Sequence, residues 1–171
     1  MLDVMSNDIM INALRNSGVC SVLVSEEDEE PIIVPTEQQG KVRVCDAVRC
    51  GARSAFTVAV NTISNDDYNK TTQYCCAFDP LDGSSNIDCN VSIGTIFGVY
   101  EKDDGSAGTT ADILRSGDDM ICAGYCVYSS AVELVFAFKG GDVHCFCLDP
   151  SIGGENASLA SVMNTSSLLL A

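Results

Sequence analysis

The sequence predicts an α/β chain: residues 2–16 carry a helical period, and short β-type runs recur between residues 20 and 148. Apolar residues make up 46% and charged residues 19% of the 171, the composition of a globular chain long enough to bury a core.

Each element has a local signal. Leu2, Met5, Ile9 and Ala13 fall on one helical stripe, and Gly18 is placed to stop the helix. Residues 20–25 form a β-type run that ends in Glu26-Glu27-Asp28-Glu29-Glu30, and residues 32–34 form a second, between Pro31 and Pro35. Residues 42–73 then lose both periods. Residues 74–78 read as a strand leading into Asp79-Pro80-Leu81-Asp82-Gly83-Ser84-Ser85. Further β-type runs cover 92–100, 122–138 (a strand and more) and 143–148, while 101–119 is polar and turn-rich with a short helix near 111–114. Beyond 149 no strong pattern remains.

Charge excludes several functions. The net charge is −15, from 24 acidic residues against 9 Lys and Arg, so the chain repels nucleic acid and anionic membranes. A phosphorylated substrate would need metal ions to mediate. The first residues lack a basic region, and Asp3, Asn7 and Asp8 interrupt their apolar character, so no signal peptide is expected. No apolar stretch is long enough to span a bilayer, and the expected compartment is the cytosol. There the 10 cysteines stay reduced. Cys20, Cys75, Cys145 and Cys147 sit where strands need small apolar side chains. With no C-x-x-C pair and His144 as the one histidine, zinc is not expected. His144 reads as a structural strand residue.

The chemistry concentrates in 79–85. Asp79 and Asp82, across a turn stiffened by Pro80, can converge on one hard cation, with the Leu81 carbonyl a candidate third oxygen ligand. Gly83 permits close backbone approach, and Ser84 and Ser85 suit a helix start whose N–H groups hold a phosphate. Such oxygens suit Mg²⁺ or Mn²⁺. The same residues also describe a plain turn followed by a plain cap, and Glu26 and Glu27 alone describe a solvated acidic loop.

The longer string Phe78-Asp-Pro-Leu-Asp-Gly-Ser-Ser-Asn-Ile-Asp-Cys-Asn-Val-Ser-Ile-Gly-Thr-Ile-Phe-Gly98 closely resembles the signature of fructose-1,6-bisphosphatases. Leu2-Asp-Val-Met-Ser-Asn-Asp8, Val24-Ser-Glu-Glu-Asp28, Ala123-Gly-Tyr-Cys126 and Leu148-Asp-Pro-Ser-Ile-Gly153 resemble family segments in family order. The resemblance implies a layered α/β sandwich with a mixed sheet, incomplete in this chain. It implies hydrolysis of D-fructose 1,6-bisphosphate to fructose 6-phosphate and phosphate, and a homo-oligomeric assembly. By the same resemblance Glu26, Asp79, Asp82 and the Leu81 carbonyl bind metal, and Asp3 and Glu27 help activate the attacking water. Gly83, Ser84 and Ser85 cradle the phosphate on sugar carbon 1. Asp28, Glu29 and Glu30 stay a solvated loop, and Asp88 a helix or turn residue.

Departures from the pattern matter too. The family's AMP-site helices, its basic and tyrosine residues for the 6-phosphate and a further metal-binding glutamate have no counterpart here. Residues 154–171 do not resemble the family and read as an unrelated, disordered tail, leaving 1–153 as a partial domain. Residues 42–73 read as an insertion, because removing them joins Lys41 to the family-like strand that starts at Tyr74. Val42-Arg43 and Gln73 fit codons at the edges of an unspliced intron, as Gly154-Glu155 fits translation past an exon end. Two rivals stand beside the bisphosphatase reading: a phosphatase of inositol or sedoheptulose phosphates, and a remnant that binds metal or pairs with full-length subunits without turnover.

Overall fold

The computed structural model describes residues 2–35, 73–103 and 105–148, and the backbone of 162–163. Residues 42–72 and nearly all of 154–171 therefore lie outside the described residues.

Helix α1 (Leu2–Ser17) is followed by β1 (Cys20–Ser25), β2 (Ile32–Ile33), β3 (Tyr74–Asp82), β4 (Ile93–Glu101), β5 (Cys122–Tyr128), β6 (Val132–Phe138), β7 (Val143–Cys147) and β8 (Val162–Met163). The strands form one sheet in the order β2-β1-β3-β4-β5-β6-β7-β8. It is mixed: β1 and β3 run parallel, and every other neighbouring pair is antiparallel. Asp3 in the first turn of α1 and Arg15 in the last complement the helix dipole.

The helix docks by a different face from the one its most apolar stripe suggests. Leu2, Met5 and Ile9 are 54%, 50% and 64% exposed, whereas Asn7, Ile11, Leu14 and Ser17 are buried. Two faces of this helix carry apolar side chains, so periodicity alone selects the wrong one. The buried face tolerates its polar members because both find partners: Ser17 Oγ donates to the Leu14 carbonyl at 2.6 Å, and Asn7 bonds to the loop after β1. Ile11 and Leu14 pack on Leu23, Tyr74, Cys76, Phe78, Phe97 and Val99.

The opposite sheet face is covered near its middle by the 102–121 connection, where Ile113 meets Val22, Cys75 and Tyr100. Two short 3₁₀ turns, Thr110–Asp112 and Gly117–Asp119, replace the short helix expected near 111–114. Buried Asp112 holds this connection together by accepting from Ser106 Oγ at 2.6 Å and Thr109 N–H at 2.8 Å. Burial alone would raise its carboxyl; the bonds from Ser106, Thr109 and Asp103 outweigh that and hold it below its ordinary value.

Other sequence expectations shift in detail. The 74–78 strand continues through Pro80 to Asp82, and the 122–138 run divides into the hairpin β5–β6. The tail, expected to lack structure, contributes β8 opposite Cys145 and Phe146. Among the strand cysteines Cys20 and Cys75 are buried, but Cys145 and Cys147 are only half-buried, since β7 lies near the sheet edge. His144 lies tilted against Phe136 and edge-on to Phe138, with ring centroids at 5.5 and 6.4 Å. Among the described residues no helix is long and apolar enough to cross a membrane.

Candidate active site

The parallel register brings the acidic residues to one end of the sheet. Ser25 of β1 lies opposite Phe78 of β3, and Glu26 N–H donates to the Phe78 carbonyl at 3.0 Å. Glu26 follows the carboxyl end of β1 and Asp79 lies in the last turn-bearing part of its parallel neighbour β3, towards the end where α/β sheets hold ligands. Asp3 approaches from the first turn of α1. The proximity shows in Glu27, whose carboxyl is raised by desolvation, and further by the charges of Asp3, Glu26 and Asp79.

Asp79 begins the irregular part of β3. Its Oδ1 accepts from Leu81 N–H at 2.9 Å, and the pairing with β4 shifts register between Asp79 and Asp82. Thr95 Oγ1 donates to the Pro80 carbonyl at 2.9 Å and lies 2.7 Å from the Tyr128 hydroxyl, pinning the irregularity from β4 and β5. Leu81 is buried and Asp82 exposed. Gly83 then takes φ +79°, where a side chain would be strained, and opens the 3₁₀ helix Ser84–Cys89. Asn86 N–H donates to the Gly83 carbonyl at 2.8 Å. The Ser84 and Ser85 N–H groups precede any intrahelical acceptor.

The donor set suits a hard cation, being all oxygen and mostly carboxylate. Asp3 Oδ1 is buried without a hydrogen-bond partner, which is costly for a carboxylate unless a cation or donor meets it. Among the described residues, however, no three or more His, Cys, Asp or Glu side chains gather in a group that could hold a metal ion. Glu26 and Asp79 lie near enough to Glu27 for their charges to raise its carboxyl.

Sequence reasoning missed Asn7, Ser25 and Thr95, which are buried polar residues bonded to the site segments. Asn7 alone carried a signal, because asparagine is a poor helix-interior residue and asks for a side-chain partner. A cleft of about 500 Å³ between α1 and residues 28–33 adjoins the acidic loop at Asp28 but contains none of the expected site residues.

A mixed sheet with a helix on one face, acids at the ends of its two parallel strands and a glycine-led helix start describes a phosphatase-type α/β domain. The family model for the fructose-1-6-bisphosphatase N-terminal domain matches residues 1–65 and 59–157. The chain belongs to the fructose-1,6-bisphosphatase family. It is 47% identical over 152 residues to the cytosolic fructose-1,6-bisphosphatase of Arabidopsis thaliana, and 45% identical to fructose-1,6-bisphosphatase 1 of Bos taurus. Each match covers 89% of this chain and 35% of the relative, so the chain spans about a third of their length. The crystal structure of Leishmania major fructose-1,6-bisphosphatase in holo form matches with a TM-score of 0.63 and 36% identity, over 88% of this chain and 39% of the other.

Proposed function

We propose that this chain supplies the metal-bearing part of an enzyme that hydrolyses D-fructose 1,6-bisphosphate to fructose 6-phosphate and phosphate, in the cytosol, as a step of gluconeogenesis. The observation that carries the reading is the pairing of Ser25 with Phe78, which sets Glu26, just past β1, beside Asp79 of β3. The names of the relatives supply the substrate, and that of the Arabidopsis thaliana enzyme, called cytosolic, the compartment.

Glu26, Asp79, Asp82 and the Leu81 carbonyl would hold Mg²⁺ or Mn²⁺. When bound, such an ion supplies an activated water and neutralises charge on the phosphoryl group. Asp3 and Glu27 would serve as the proton acceptors beside it, and the Glu27 carboxyl is raised from its ordinary value by desolvation and by Asp3, Glu26 and Asp79. Ser84 and Ser85 N–H groups, with Gly83 giving close access, hold the oxygens of the phosphate on carbon 1. Residues 42–73 act as an insertion outside this machinery, and residues 154–171 as a tail unrelated to it. Assembly with other copies follows the family.

One observation favours a second reading, metal binding or subunit pairing without turnover. The four described cations are Arg15, Lys102, Arg115 and Lys139. Three of them are engaged with Ser106, Asp103 and Asp118, so the described residues supply no basic cluster for the substrate's second phosphate. Losing that orientation can remove several powers of ten in rate.

Phosphate release from fructose 1,6-bisphosphate with Mg²⁺, compared with Asp79→Ala, tests the two. Little or no release by this chain on its own is the expected result, and Mn²⁺ binding lost in Asp79→Ala then supports the metal reading. Turnover near that of a full-length relative, abolished by Asp79→Ala, establishes the enzyme reading for this chain alone.

A further inference from the structure

We propose that Asn7 and Ser25 are positioning residues which lock the acidic loop 25–28 to α1 and thereby set Asp3 against Glu26 and Glu27. The inference rests on the metal-site reading above and adds residues to which that reading gives no role. Asn7 follows Asp3 by one helical turn, so both lie on the same face of α1. Asn7 is 7% exposed and Ser25 3%.

Their hydrogen bonds hold each residue of the loop. Ser25 Oγ donates to Asn7 Oδ1 at 2.7 Å and accepts from Glu27 N–H at 3.3 Å. Asn7 Nδ2 donates to Asp28 Oδ2 at 3.2 Å. Glu26 N–H is held by Phe78 at 3.0 Å, and Asp28 N–H by the Ser25 carbonyl at 3.4 Å. An ionised carboxylate only accepts, so Asp28 fixes the amide orientation of Asn7, and the Asn7 oxygen must then face Ser25. The backbone of both glutamates is thus held while their side chains stay free. Carboxylates that repel one another need such a scaffold, because repulsion otherwise opens the loop.

The experiment is Mn²⁺ titration of the whole chain, reading free Mn²⁺ by electron paramagnetic resonance, with far-UV circular dichroism to confirm the fold. Asn7→Ala and Ser25→Ala should each weaken Mn²⁺ binding about tenfold, the usual effect of removing a residue that orients ligands. The double variant should lose less than the sum of the two single losses, since the Ser25–Asn7 bond is broken in both. Asp28 is exposed, so its variants fold whether or not those of Asn7 do. Asp28→Asn keeps an acceptor for Asn7 and should bind nearly as the unaltered chain does, whereas Asp28→Ala should bind several-fold more weakly. Unchanged affinity in Asn7→Ala and Ser25→Ala overturns the proposal, and so does an equal loss in Asp28→Asn and Asp28→Ala, which would mean charge alone matters. Should the unaltered chain fail to bind Mn²⁺, or bind as Asp79→Ala does, the metal reading itself falls and takes this inference with it.

Discussion

Glu26 and Asp79 each follow one member of a register pair, Ser25 and Phe78, on adjacent parallel strands, and the Glu26 N–H closes the arrangement by donating to the Phe78 carbonyl at 3.0 Å. Two acids that are 53 positions apart in the chain thereby become neighbours through backbone pairing. Their spacing is set by the sheet, and the side chains have only to reach.

Glu27 makes the cost of this crowding measurable. Its carboxyl is raised from 4.5, by desolvation first and then by Asp3, Glu26 and Asp79. The folded state therefore holds this proton more tightly than the unfolded chain. The group's contribution is fully present below the ordinary carboxylate value and is lost as pH rises through the raised one. Glu27→Gln should remove that decline, so that the variant loses less stability than the parent as pH rises from 4 to 7 in urea titrations. An equal decline in both proteins would assign the effect to other groups.

Thr95 is expected to matter through geometry alone. Thr95→Val keeps its shape but loses the bonds to the Pro80 carbonyl and the Tyr128 hydroxyl. Unfolding should show a loss of about 1–3 kcal/mol, because a buried carbonyl is left without a donor. Tyr128→Phe, at a residue 37% exposed, should cost less.

Thiol chemistry should separate the cysteines by burial. Burial pushes Cys20 up to about 12 and Cys122 up to about 11, and holds Cys76 well above its ordinary value. Thiolate is the reactive form, so these three should resist iodoacetamide in the folded chain. Cys89 is exposed and, among the described cysteines, should be labelled first. Peptide mass spectrometry before and after urea gives the order, and early labelling of Cys76 would show that the core opens readily.

Removing residues 42–73 should leave the sheet pairing intact, since Lys41 would then lead directly into Tyr74 at the start of β3. Urea unfolding of the shortened chain should show stability at least equal to that of the parent. Clear destabilisation would make the segment integral. Reading the transcript across Lys41/Val42 and Gly153/Gly154 checks the intron origin separately.

The legible parts of this protein were those with a local cause. Gly18, Gly83 and the β-type run 20–25 announce a helix stop, a turn and a strand because each acts within a few residues. The motif at 79–85 was visible as chemistry but misjudged as backbone: pairing with β4 carries β3 past Pro80, which a local turn signal does not foresee. The docking face of α1 was misread for a related reason. Asn7 and Ser17 look like surface residues until Ser25 and the Leu14 carbonyl are set beside them. The Asn7–Ser25 bond spans 18 positions and exists only once helix and sheet have met.

The crossover that joins β1 to its parallel neighbour β3 would accommodate an insertion at 42–73 at little cost. The connection runs from 26 to 73, 48 residues, of which 16 would remain without 42–73. Loop-closure entropy grows only with the logarithm of length, so tripling the connection costs about 1 kcal/mol. That is less than one well-buried leucine contributes. Glu26 and Asp79 can therefore meet in the same register whatever the intervening residues encode, and a site assembled across such a crossover is insulated from accidents in the segment that links its halves.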